Sequence, residues 1–257
     1  MIAVNADDFG FTVGITNGII KAYKEGIVTH TSIMANGLDF DRSIECCKKE
    51  VNLKVGIHLV ATWGSPILGN DKKSSLINNT NGKFYNHKEL IVRLIFGKIK
   101  KNDIYKEWDE QINKVLRGGI QIDHLNSHHH IHMLSVFNDV VYELAKKYSI
   151  KRVRVTKEKI RKNDKLAVII KKLIFIILDL FRGRNGIYNF HGLGLQSSNN
   201  YQNDLISILK IMENNSELMV HPGIVDDDLL AEDTMNYSRE HELKIISEHD
   251  VIKAFRE

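Results

Sequence analysis

Two adjacent carboxylates, Asp7 and Asp8, are followed about fifty residues later by His58, and about seventy beyond that by His128, His129, His130 and His132. Each group comes after a short β-branched or aliphatic run, which places it near the end of a predicted strand. Carboxylate and imidazole side chains converging at strand ends suit a divalent cation that keeps a position open for water, and the chemistry of such a centre is hydrolysis. Taken singly, the motifs say less. Asp-Asp-Phe-Gly at 7–10 and His-Pro-Gly at 221–223 also have the composition of turns, and one histidine in an apolar strand is commonly a hydrogen-bonded core residue. The histidine cluster is harder to explain that way, because several desolvated imidazoles need metal, carboxylates or water on their nitrogens. Read as extended chain, the cluster points His128, His130 and His132 to one side and His129 to the other.

The elements that must position these groups alternate in type. Residues 2–5 read as a first strand, and 14–25, with Ile15, Ile19, Ala22 and Tyr23 on one face and Gly26 as a stop, as a helix. A second strand over 28–34, a helix over 40–49 and a strand over 55–60 carrying His58 follow. Residues 63–86 are rich in Gly, Asn and Ser and contain Pro66, a long excursion over the strand ends and a candidate lid. Helical patterns over 88–98 and 104–116 lead to a strand over 120–125, a helix over 136–148 and a strand over 152–155 that aims Arg154 towards the site. Residues 166–181 and 201–214 read as helices, and 218–221 as a late strand stopped by Pro222 and Gly223. Strands alternating with helices imply a parallel sheet, here a distorted, TIM-barrel-like β/α barrel with loops inserted over the C-terminal ends of its strands.

A chain of 257 residues with 43% hydrophobic content can bury one large core, so a single domain over 1–257 is expected. Cys46 and Cys47 are neighbours, which excludes an ordinary disulfide between them and fits a reducing compartment. Residues 1–12 show no export signal, so a cytoplasmic location is expected. The net charge of +4 is regional: residues 146–184 hold 14 Lys or Arg against Glu158, Asp164 and Asp179. Within them, 166–181 would be ~24 Å long as a helix, too short and too charged to span a bilayer. Its plainer role is to cover the barrel or to form a homodimer contact. Its sharper role is peripheral contact with the inner, anionic face of a membrane, with lysines at the headgroups and Ile169, Ile170, Leu173, Phe175, Ile176 and Ile177 below them. The basic stretch lacks regularly placed aromatics, which argues against nucleic acid.

Five blocks together resemble the ChbG/HpnK, or YdjC-like, carbohydrate deacetylase family: Asn5-Ala6-Asp7-Asp8-Phe9-Gly10, Gly26-Ile27-Val28-Thr29, Gly56-Ile57-His58-Leu59, residues 123–132 with the histidine cluster, and Met219-Val220-His221-Pro222-Gly223. They stand in the family's order, cover most of the first 156 residues and thin out until His221. The resemblance implies a distorted β/α barrel that removes acetyl groups from N-acetylated amino sugars with one divalent metal ion. It would make Asp8, His58 and His128 the metal ligands, Asp7 the general base and His221 the acid or transition-state stabiliser. His130, Arg154 and Pro222 are the expected substrate contacts. One departure is Asn126, where many relatives carry Asp, a change that could weaken a contact supporting the cluster. Two imidazoles and one carboxylate suit zinc, cobalt, iron or manganese better than magnesium, the ion that family descriptions often give. A metal-dependent phosphoesterase, or a non-catalytic sugar-binding or metal-sensing protein, would use the same residues.

Overall fold

Seven strands form among the described residues: β1 (Ala3–Phe9), β2 (His30–Ile33), β3 (Lys54–Leu59), β4 (His124–Ser127), β5 (Arg152–Val153), β6 (Asn189–His191) and β7 (Ser216–Val220). All pair in parallel, in the order β5-β4-β3-β2-β1-β7-β6. Parallel neighbours need crossovers. These are α1 (Val13–Glu25), α2 (Phe40–Lys49), the pair α3 (His87–Ile95) and α4 (Lys101–Arg117), α5 (Ser135–Lys147), α6 (Leu166–Arg182) and α7 (Tyr201–Ile211), with α8 (Asp227–Glu232), α9 (Tyr237–Ile246) and α10 (His249–Arg256) closing the chain. The computed structural model describes residues 2–69, 73–162, 164–182 and 189–257; residues 70–72 of the excursion and Arg184 of the basic stretch lie outside them.

Alternation divides each strand between two environments. Val4, Ala6, Ile33, Val55, Ile57, Leu125, Leu218 and Val220 join the helices in one continuous apolar core. The opposite positions carry Asn5, Asp7, His30, Ser32, His58, His124, Asn126, Arg154 and Glu217, all buried. Barrel interiors are commonly packed with branched aliphatic side chains; this one is hydrogen-bonded. Arg154, just beyond edge strand β5, reaches Asp7 on β1 and Glu217 on β7, while Arg152 on β5 reaches His30 on β2 at 3.1 Å. Contacts between strands so far apart in the sheet order require it to curl into a half-barrel, as the alternation of strands and helices predicts. Gly56 is an inward position, and a Cβ there would stand 2.4–2.5 Å from the His124 ring. A second apolar cluster, Met133, Phe175, Phe190, Leu193 and Met219, gathers beside β6 and β7, and the guanidinium of Arg154, just past β5, lies 5.4 Å from the Phe190 ring centroid.

Several expectations change. The histidine cluster is not extended: His128–Met133 is a 3-10 turn in which His129 and His130 both have φ near 56°. The Ser127 hydroxyl accepts from the His132 backbone N–H at 2.9 Å and bonds His132 Nδ1 at 2.7 Å, folding the segment back on the strand end and overriding alternation. The fourth strand begins at His124 instead of 120, and the last begins at Ser216, which adds Glu217 to the interior. In α6, Phe175 is buried, and Lys172 turns inward to pair with Asp164 at 2.7 Å and Glu158 at 3.2 Å, so neither can reach a headgroup layer. The sequence reading also lacks β6 and the helices α8 to α10.

Candidate metal centre and active site

Two adjacent side chains on a regular strand point to opposite faces, so Asp7 and Asp8 can share a site only if β1 departs from regularity. It does. The β1–β2 register shifts between Ala6 and Phe9, and Asp8 has φ 68°, in the left-handed region that Asp tolerates better than most residues. The bulge swings Asp8 to the side that Asp7 already faces.

Asp8 Oδ1 lies 3.1 Å from His58 Nε2 on β3 and 3.1 Å from His128 Nδ1 just past β4. One donor atom from each of the three residues falls within 4.8 Å of the others. The hydrogen bonding fixes the roles of the nitrogens. Asn126 directs its amide nitrogen to Ser32 Oγ at 3.0 Å and to Asp7 Oδ1 at 3.3 Å, which leaves its oxygen to accept from His58 Nδ1 at 2.7 Å. His58 therefore turns Nε2 towards a carboxylate oxygen, an arrangement that repels unless positive charge lies between them. In the metal-free protein the surroundings favour a proton there: burial disfavours the imidazolium, but Asp7 and Asp8 outweigh it and raise the His58 pKa. A divalent cation in its place would meet one carboxylate and two imidazole donors, so the residues fit such an ion. Asn126 thus makes a supporting contact to His58.

The other oxygen, Asp8 Oδ2, is held by Arg239 Nη2 at 2.7 Å. Arg239 is fully buried on α9, and the same nitrogen reaches Asp233 at 2.9 Å. Burial works against the Asp8 charge, but Arg239 and the two histidines more than offset it and hold the carboxyl well below its usual range.

Asp7 is gripped differently. Its Oδ1 accepts from Asn5 Nδ2 at 2.7 Å, Arg154 Nη2 at 2.7 Å and Ser32 Oγ at 3.0 Å, besides Asn126. Its Oδ2 takes Arg154 Nη1 at 2.6 Å and faces His221 Nε2 at 4.0 Å. Burial opposes the charge here too, but Arg154 and then His58 keep the carboxyl ionised, far below the ordinary range. Arg154 in turn donates from Nε to Glu217 at 2.7 Å. The forked pairing leaves its guanidinium engaged on both edges.

His221 follows β7 directly, and its backbone N–H donates to Glu242 at 2.8 Å; Glu242 is fully buried and also receives Tyr201 and Gln196. Burial pushes the His221 pKa down to about 4, against the pull of Asp8 and Asp7. The ring is therefore neutral near pH 7. The His221 and His128 side chains keep 16% and 13% of their surface open while Asp7, Asp8 and His58 keep at most 3%, so a solute approaches past these two rings.

His130 is buried among Phe175, Phe190 and Thr156, and Pro222 is buried beside His221. His129 packs at a tilt against His87 and His128 and bonds Thr62. Sequence reasoning missed Asn5, Ser32, Glu217, Arg239 and Glu242. Alternation on β1 places Asn5 with Asp7 and could have found it; Arg239 has no local signal.

The YdjC-like protein family model matches residues 1–257. The chain belongs to the YdjC-like family. Among YdjC-like relatives, the carbohydrate deacetylase of Oceanobacillus iheyensis is 35% identical over 250 residues, covering 95% of each chain. That of Thermoanaerobacter pseudethanolicus is 31% identical, covering 100% of this chain and 94% of its own. The fold is also that of an Enterococcus faecalis V583 crystal structure described as a candidate cellobiose-phosphate cleavage protein. The TM-score is 0.77 at 24% identity, over 99% of this YdjC-like chain and 93% of that one.

Proposed function

We propose that this chain is a metal-dependent carbohydrate deacetylase that hydrolyses the N-acetyl group of an amino sugar, in a chitooligosaccharide or in another glycan or glycolipid containing N-acetylglucosamine, and releases acetate. The observation that carries the reading is the division of labour between the aspartates: Asp8 shares its Oδ1 with His58 and His128, whereas Asp7 stands outside that donor set with Oδ2 turned to His221. Relatives of the same length that are named carbohydrate deacetylases support it.

Asp8, His58 and His128 would hold one divalent ion, with zinc, manganese or cobalt favoured over magnesium by the imidazoles. When bound, the ion supplies Lewis acidity, lowering the pKa of water from ~15.7 to about 7 and polarising the acetyl carbonyl. The rest falls to the chain's own groups. Asp7 Oδ1 is saturated by donors, so Oδ2 is the atom that accepts the proton water gives up. Arg154 acts through Asp7, fixing its plane.

Amide cleavage also needs a proton on the departing nitrogen. His221 provides it by relay. His221 Nε2 lies 4.0 Å from Asp7 Oδ2, placed to pass that proton on to the departing nitrogen, which as a free amine binds protons more tightly than a carboxylate. One water is consumed, its hydroxyl going to the acetyl carbon and its proton to the amine, and both residues return to their starting states. At the rim, the half-buried Trp63 packs edge-on against Phe11 at 4.4 Å, and Phe11 tilts towards His128. An indole there offers the apolar face of a pyranose a stacking surface.

The test is acetate release from N-acetylglucosamine, chitobiose and an N-acetylglucosamine glycolipid, using metal-stripped protein and protein reconstituted with zinc, manganese, cobalt or magnesium. Acetate should appear only on reconstitution. Phosphate release from sugar phosphates without acetate from any N-acetyl sugar would replace this reading with a phosphoesterase.

A further inference from the structure

The outer face of α6 has no use in the chemistry above. Leu166, Ile170, Leu173, Ile174, Ile177 and Leu180 are 72, 50, 43, 50, 51 and 72% exposed. Their spacing keeps them on one side of the helix, a stripe about 21 Å long at roughly 1.5 Å per residue. The inner face is spent: Phe175 lies edge-on against His130, and Lys172 is buried in its ion pairs.

The charge around the stripe is sorted by burial. Of the acids between 146 and 182, Glu158 is buried against Lys172, Asp164 pairs with Lys172 and Arg161, and Asp179 pairs with Lys157 at 3.0 Å. Lys159, Lys162 and Lys165, just ahead of the helix, are exposed, with Ile160 among them at 44%. The acids are paired with neighbouring cations, and the exposed groups are an aliphatic stripe on the helix and three lysines just ahead of it.

We propose that this face lies in the plane of an anionic lipid surface, with the aliphatic stripe at the acyl boundary and Lys159, Lys162 and Lys165 at the lipid phosphates. A bilayer meets both demands together, hydrocarbon for the stripe and negative charge for the lysines. A second copy meets only the first: an isologous contact brings the same patch, whose acids are already paired, and so offers the lysines no counter-charge. Among the described residues no helix is long and apolar enough to cross a membrane, so the contact is peripheral.

The experiment is flotation of the full chain with vesicles of phosphatidylcholine alone or mixed with phosphatidylglycerol. The chain should float only with phosphatidylglycerol and be released by high salt. Ile170→Glu/Ile174→Glu and, separately, Lys162→Glu/Lys165→Glu should each lower recovery roughly tenfold or more. These sites are exposed, so thermal unfolding of both variants should match the parent, and flotation reads the surface independently of any deacetylase activity. Recovery of the parent in the unbound fraction with both vesicle types overturns the proposal. So does flotation that the variants leave unchanged, and so does a parent dimer in sedimentation that Ile170→Glu/Ile174→Glu converts to monomer, which would assign the stripe to a second copy.

Discussion

Arg239 Nη2 meets Asp8 Oδ2 at 2.7 Å, and the two histidines meet Oδ1 at 3.1 Å, so one buried carboxylate is divided between a permanent cation and an exchangeable one. Removing the permanent cation tests that division. Arg239→Gln should cost metal-free protein about 3 kcal/mol, because Asp8 and Asp233 lose a buried partner. Urea unfolding in chelator would measure this, and the deficit should narrow in saturating divalent ion. An unchanged midpoint without metal would show the contact to be idle.

Asp7→Asn separates catalyst from binder. The substitution keeps the shape of the Oδ1 network but removes the proton acceptor, so turnover should fall by about 10²-fold or more. Divalent affinity, measured by calorimetry, should fall far less than turnover, because Asp7 lends the site charge but is outside the donor set. Wild-type turnover in this variant would remove Asp7 from the mechanism.

Metal binding should depend on pH with a definite sign. The folded His58 pKa is raised above its ordinary value, so its proton's stabilising contribution is complete below the ordinary histidine pKa and is lost as pH rises through the folded value. The incoming ion displaces that proton. Affinity should therefore climb with pH and level off above the folded His58 pKa, with proton release seen as a buffer-dependent heat. Heats independent of buffer across this range would contradict the assignment.

Gly56→Ala addresses the barrel interior. The new methyl would lie 2.4–2.5 Å from the His124 ring, which is 2% exposed and hemmed in by the interior network. We expect a loss of roughly 1–3 kcal/mol in thermal or urea unfolding, the usual cost of overpacking. A neutral result would mean the ring can move aside.

What could be read from the sequence follows from distance along the chain. Asp8, His58 and His128 each close a predicted strand, and parallel strands bring their ends together, so the cluster needed no knowledge of side-chain contacts. The bulge that aligns Asp8 with Asp7 is a register property of two strands and leaves no mark on one. Alternation has no hold on His128–Met133 because Ser127 offers the backbone a hydrogen bond that competes with extension. Arg239 lies 231 positions from Asp8, and nothing near it distinguishes it from a surface arginine of an amphipathic helix. Glu217 escaped because the predicted strand began two residues late, at 218 instead of Ser216.

The same separation shapes how the molecule can be made. Asp7 and Asp8 leave the ribosome well ahead of the arginines that neutralise them, which arrive 147 and 231 positions later. Until then both carboxylates favour solvent, and the first strand has no reason to bury its own C-terminal end. Commitment of the centre is thus deferred to the last helices, and a nascent chain halted before Arg239 would keep its hydrolytic corner hydrated and unassembled.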